Sequence, residues 1–216
     1  MTENNPSPRQ VWTEMLEGNA RFVAGTPRHP RQDVDRRHEL AGGQRPRAAL
    51  FGCSDSRLAA EIIFDEGLGD LFVVRNAGQV MSDSVVGSLE YAVEVLGTPL
   101  IVVLGHDECG AVRAAIDSTS PDAPALPARI WRQIAPIVPA VRRVQVTGGT
   151  NALTVNAEQV GREHLRDTVN ELLHSSELIS AAVAEGRLAI VAVNYRLAEG
   201  EAVPDFIVGA ADDAAA

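Results

Sequence analysis

Four short runs of continuous apolar residues, at positions 48–51, 71–74, 100–104 and 188–193, punctuate this chain. None shows the polar alternation of a half-exposed strand, so each predicts a strand buried on both faces of a mostly parallel sheet. Helical spacing fills the intervals at 59–64, 84–96, 111–116 and 128–141, with one long helix over 159–184. The order predicts an α/β fold, a mostly parallel central sheet of four strands flanked by helices. A fifth run at 203–208 adds an edge strand or a partner contact. Ahead of the sheet, residues 10–24 place Val11, Met15 and Phe22 on one helical stripe beside Trp12, Leu16 and Val23, which reads as an N-terminal helical arm.

The remaining stretches read as connections. Residues 25–46 are rich in Pro, Gly and charge and predict a surface connection with one short helix at 35–41, while 118–127 and 147–150 read as loops. No internal repeat is present. The chain is therefore expected to be a single domain, 1–216. An arm and connection occupy 1–46, the α/β core 47–208 and a frayed tail 209–216.

Charge and composition narrow the classes of function. A net charge of −10 over 216 residues disfavours a nucleic acid or an anionic membrane surface as partner. All nineteen basic residues are arginine, so a Walker lysine and a Schiff-base lysine are both excluded. No apolar run reaches the roughly 20 residues that span a bilayer. The first ten residues lack the basic and apolar regions of a secretory leader, and there are only two cysteines. These features predict a cytoplasmic protein with reduced thiols.

Those two cysteines carry the candidate chemistry. Cys53 follows the first predicted strand and opens "CSDSR", and "LIVVLGHDECG" places His106 and Cys109 directly after the third. In open α/β sheets ligands bind beyond the carboxyl ends of strands, where strand order reverses. The H-x-x-C spacing lets one turn aim an imidazole and a thiolate at a single point, with a second thiolate from the other strand. Two thiolates and one imidazole suit tetrahedral Zn2+ and leave a fourth position for water, as catalytic zinc sites do. Taken singly, Cys53 also reads as a small core residue and His106 as a satisfied strand-end histidine. Asp55 and Arg57 read either as a surface ion pair of little energetic value or as a dyad at the metal's open position. His29, His38, His164 and His174 read as solvated surface.

With "CSDSR" and "HDECG" on the same chain, the sequence resembles a β-class carbonic anhydrase, a bacterial one with a plant-type substrate pocket. The resemblance runs from about Trp12 to Asp205 and includes "GQRP" from Gly43, "FVVRNAG" from Phe72 and "EYAVEVLG" from Glu90. It implies one Zn2+ per subunit on Cys53, His106 and Cys109, with Asp55 and Arg57 as catalytic dyad. Gln44, Phe72 and Tyr91 would line the substrate pocket, and the Gly110 N–H would meet a substrate or product oxygen. Some bacterial members hold inhibitory bicarbonate at a second site through a tryptophan three residues before the first cysteine. Leu50 stands there, so that inhibition is not expected, although Arg75 matches another member of the site. Ala77 replaces a larger apolar residue and changes the pocket's width.

The reaction so implied is reversible hydration of CO2 to bicarbonate and a proton, zinc hydroxide attacking CO2 under control of the dyad. Asp55 would become the fourth ligand in a closed state at lower pH. A three-histidine carbonic anhydrase is itself the reference case for a zinc-bound water of pKa about 7. Two thiolates donate more charge to the metal, so activity should rise towards alkaline pH. The resemblance also implies a homodimer or homotetramer with the active site near the subunit interface and the arm across the partner. The rival readings are a same-scaffold hydrolase of carbon disulfide or carbonyl sulfide, and a zinc or redox-sensing module.

Overall fold

A computed structural model describes residues 6–210. Five strands form one sheet in the order β2-β1-β3-β4-β5: β1 Ala48–Cys53, β2 Leu71–Asn76, β3 Leu100–His106, β4 Ala189–Arg196 and β5 Glu201–Val208. β1 to β4 are parallel and β5 is antiparallel to β4. β1 and β3 are buried along their whole length, as continuous apolar runs require of strands covered on both faces. β2 departs from that expectation. It has only β1 beside it, and Phe72, Val73 and Val74 are half-buried. β5 is the other edge, where Pro204, which has no N–H to give a ladder, is tolerated opposite Val193 beside a bulge.

Alternate side chains of the strands enter two separate apolar layers. One receives α1 (Pro8–Val23), α3 (Ala60–Ile63), α5 (Gly110–Asp117), α6 (Ala128–Ile134) and α7 (Val138–Gly148). The other receives α4 (Asp83–Glu90), α8 (Ala157–Ser175) and α9 (Glu177–Ala184). A short helix, α2 (Val34–Leu40), lies in the connection before β1.

Three expected helices are divided. Residues 128–141 break around Ala135–Ile137, a 3₁₀ turn, because Pro136 and Pro139 cannot donate to the preceding turn. The second helix then continues to Gly148, into the stretch expected to be a loop. The 84–96 helix ends in a π-turn over Tyr91–Val95. The long helix over 159–184 stops at Ser176, whose extended backbone caps α9: its Oγ accepts from the Ile179 N–H and donates to Glu90. A local hydrogen-bonding alternative defeats the apolar period there. Most of the expected tail, residues 211–216, lies outside the described residues.

The N-terminal stripe is used within this chain. Val11, Trp12 and Met15 are fully buried in its own core, so the stripe is not free to lie on a partner. Gly18 permits the approach, since a Cβ there would sit 1.9 Å from the Phe64 carbonyl oxygen. Asn19, also buried, donates to the carbonyls of Ile63 and Gly200 and accepts from the Ala202 N–H. Asn19→Leu strands these three backbone groups and is expected to cost about 3 kcal/mol in chemical denaturation.

Arginines anchor the connection to the turn before β2. Arg21 and the backbone N–H groups of Arg28 and His29 all meet buried Asp65. Arg31 bridges Glu66 at 3.0 Å and Asp70 at 2.6 Å. Burial above all pushes the Glu66 carboxyl up to about 7; Arg47 and Arg31 oppose the rise and Asp70 adds to it. The folded chain therefore binds this proton more tightly than the unfolded one. The resulting stability is full below pH 4.5 and is lost as pH rises through about 7. Urea titrations at pH 5 and pH 8 should show the parent losing on the order of 2 kcal/mol more than Glu66→Gln between the two values.

Candidate metal centre

Strand order reverses at β1, which leads to β2 on one side while the chain then crosses to β3 on the other. The carboxyl ends of β1 and β3 are thus neighbours at a switch point, and Cys53 and His106 are their last residues. Cys109 caps the start of α5, three residues beyond the strand that carries His106. Ligand atoms of Cys53, His106 and Cys109 all lie within 4.8 Å of one another, and all three residues are buried. Both cysteines are free.

The chemistry of this donor set fits a zinc ion. The two thiols share a hydrogen bond that favours the thiolate of one and the thiol of the other. The hydrogen bond from Cys109 pulls Cys53 down to about 4 against its burial, helped by His106 and the N–H groups of Gly78 and Asp55. The same bond, with burial, pushes the Cys109 thiol up, although the N–H groups of Val112 and Ala111 at the start of α5 favour its thiolate. A cation bound between the two sulfurs would favour the thiolate at both. The ring nitrogens of His106, buried, have no hydrogen-bond partner among the described residues, an arrangement a metal ligand explains and a core histidine does not.

Asp55 stands beside this cluster without joining it. Arg57 donates from Nε to Oδ1 at 2.9 Å and from Nη2 to Oδ2 at 2.7 Å, and its own backbone N–H adds a bond to Oδ1. The guanidinium, outweighing burial, holds the carboxyl well below the usual range. Arg57 Nη2 also reaches the Glu108 carbonyl at 3.3 Å, linking the turn after β1 to the turn after β3. That second turn is fixed further by Asp107, which accepts from the Leu197 N–H, and Glu108 holds a left-handed φ of 48°.

The expected pocket residues are dispersed. Gly110 lines a cavity of about 170 Å³ with His106 and Cys109, and Gln44, Phe72 and Tyr91 are not in that lining. Gln44 is exposed on the loop between α2 and β1. Phe72 and the exposed Tyr91 touch, with ring centroids 6.1 Å apart. His29, His38 and His174 are exposed as expected.

His164 corrects its expectation: it is buried, not solvated. It lies on the apolar stripe of α8 with Val160, Thr168 and Leu172 at intervals of four, a period that outweighs its polar neighbours. Arg75 also has a role that the motifs do not announce, donating to the carbonyls of Cys53 at 2.9 Å and Asp55 at 2.6 Å. Leu50, where an indole would stand, is core.

Comparison with known proteins agrees with this centre. The carbonic anhydrase family model matches residues 48–202. Carbonic anhydrase 2 of Mycobacterium tuberculosis is 49% identical over 200 residues, covering 92% of this chain and 93% of its own. The carbonic anhydrase of Mycolicibacterium smegmatis is 46% identical over 198 residues, 91% of this chain and 92% of its own. Among solved structures, the β-carbonic anhydrase CcaA is 25% identical with a TM-score of 0.67, over 89% of this chain and 86% of that one. A tetrameric β-carbonic anhydrase of Sordaria macrospora shares the fold at 24% identity and a TM-score of 0.69, over 90% of this chain and 96% of its own. With two thiols and an imidazole converging where β1 and β3 end, and relatives of this closeness over nine-tenths of its length, the chain belongs to the β-class carbonic anhydrase family.

Proposed function

We propose that this chain converts CO2 and water reversibly to bicarbonate and a proton at one Zn2+ held by Cys53 Sγ, Cys109 Sγ and a ring nitrogen of His106. The supporting observation is the convergence of these three buried donors within 4.8 Å, with His106 otherwise unpaired. When bound, zinc in a site of three protein ligands supplies the Lewis acidity that makes a water ionisable near neutral pH. Asp55, kept ionised by Arg57, is an acceptor only, so its carboxylate orients an O–H donor at the fourth position. The two Arg57 bonds keep that carboxylate from turning onto the metal. Gly110 opens α5, where helix N–H groups lack partners within the helix, and its N–H serves the oxygen that gains charge as CO2 bends.

Gln44, Phe72 and Tyr91 complete the substrate pocket in an assembly of two or more copies. The pair of half-buried Phe72 on an edge strand and exposed Tyr91 on the neighbouring helix supports that assembly. A monomer in sedimentation at micromolar concentration would refute it. Two free cysteines, neither bridged, favour a reducing cytoplasmic setting. Among the described residues no helix is long and apolar enough to cross a membrane.

Stopped-flow CO2 hydration at pH 8.5 on protein of known zinc content tests the activity. Fast turnover that disappears with chelation and returns with zinc is expected. A zinc-replete chain that leaves CO2 untouched sinks the reading.

A further inference from the structure

Gly78 faces two partners. Its N–H donates to Cys53 Sγ at 3.3 Å, and its carbonyl oxygen lies 2.7 Å from Nε2 of His164 on α8. A single residue thus stands between a zinc-binding thiolate and a buried histidine that the reaction described above does not use.

The chemistry of the ring fixes its state. A carbonyl oxygen only accepts, so Nε2 carries the hydrogen, and Nδ1, with no partner among the described residues, keeps its lone pair. Burial holds the ring below its ordinary pKa, although the Gly78 carbonyl, Asp167 and Cys53 favour the charged form. His164 is therefore a neutral, fixed donor.

The turn it grips has no ladder of its own. Gly78 has a φ of +81°, and a Cβ there would come within 2.7 Å of the Ala111 Cβ; Gln79 follows with a φ of 40°. One backbone bond, from the Gln79 N–H to the Asn76 carbonyl at 3.4 Å, closes this turn, and side chains supply the rest. Asn76 clasps both backbone groups of Val80. Thr168, one helical turn after His164, donates its one hydroxyl hydrogen to the His164 carbonyl at 2.9 Å and stands 3.4 Å from the Gln79 carbonyl. The two peptide planes that flank Gly78 each have one donor: Gln133 Nε2 on the Ala77 carbonyl, at 2.9 Å and exposed, and His164 on the Gly78 carbonyl, buried. The exposed bond competes with water and the buried one does not.

We infer that His164 is a positioning residue of the metal centre, its Nε2–H locking the Gly78 turn so that the Gly78 N–H stays aimed at Cys53 Sγ. This rests on the zinc site proposed above. Groups that hold a metal ligand from outside typically change metal affinity about 10- to 100-fold when removed.

Zinc affinity by competition with a chromogenic chelator, and the thiolate-to-metal absorption of the Co2+-loaded protein, are to be compared among the parent, His164→Leu and His164→Gln. His164→Leu fills the space without a donor and should bind zinc about 10-fold more weakly, with a shifted thiolate band. His164→Gln places an amide N–H near the position of Nε2 and should restore both. In the zinc-loaded parent, the ¹⁵N spectrum of the ring should show the neutral Nε2–H tautomer, a reading that does not depend on any variant folding. A ring protonated at Nδ1, or a His164→Leu protein with the parent's affinity and band, overturns the inference alone. A parent that takes up no zinc overturns the zinc site and this inference together.

Discussion

Cys109→Ser is expected to abolish both zinc binding and CO2 hydration while leaving the fold standing. The residue caps α5, where serine is among the favoured N-cap residues, so the helix start should survive. The sulfur is what cannot be replaced. A serine hydroxyl stays protonated, leaving one thiolate and one imidazole, a set too weak to retain the metal. After dialysis against a mild chelator, elemental analysis should find about one zinc per chain in the parent and traces in the variant. Stopped-flow turnover should fall by on the order of 10³-fold or more, because the attacking water loses its source of acidity. A variant that keeps stoichiometric zinc and parental turnover would remove Cys109 from the centre.

Asp55→Asn should separate metal binding from catalysis. Asn has nearly the same shape, and Asp55 lies outside the group of three donors, so zinc content should be unchanged. Its side chain presents one acceptor oxygen where the carboxylate presents two, so one of the Arg57 bonds is lost. The charge that orients an O–H donor goes with it. A fall in kcat/KM of about 10²-fold with zinc retained is expected, in the usual range for a positioned acid–base group. Parental turnover would reduce the Asp55–Arg57 pair to a surface ion pair. A loss of zinc instead would make Asp55 a ligand.

Much of this molecule is legible along the chain because its strands are apolar on both sides. The runs that became β1, β3 and β4 need no tertiary information to be read as interior strands, since only burial on two faces tolerates such sequences. The metal ligands are legible for a related reason. Cys53, His106 and Cys109 stand where those runs stop, and few other roles suit the chain's only two cysteines at strand ends. Hydrogen bonds between distant residues leave no such trace. The break at Ser176 depends on Glu90, and the seating of α1 depends on Asn19 meeting backbone from two other segments. β2 has the composition of an interior strand and the burial of an edge, because what lies beside a strand is not written in the strand.

The sequence by itself determined the donors, their placement at strand ends and the class of sheet that would carry them, through local periodicity and residue chemistry. Only the tertiary structure decided that β1 lies next to β3, and so that Cys53 meets His106 and Cys109. It also decided that Arg57 spans the two ligand-bearing turns and that His164 turns inward to Gly78. Each of these joins residues tens of positions apart, and such pairings are selected by packing of the whole sheet rather than by any pattern within one segment.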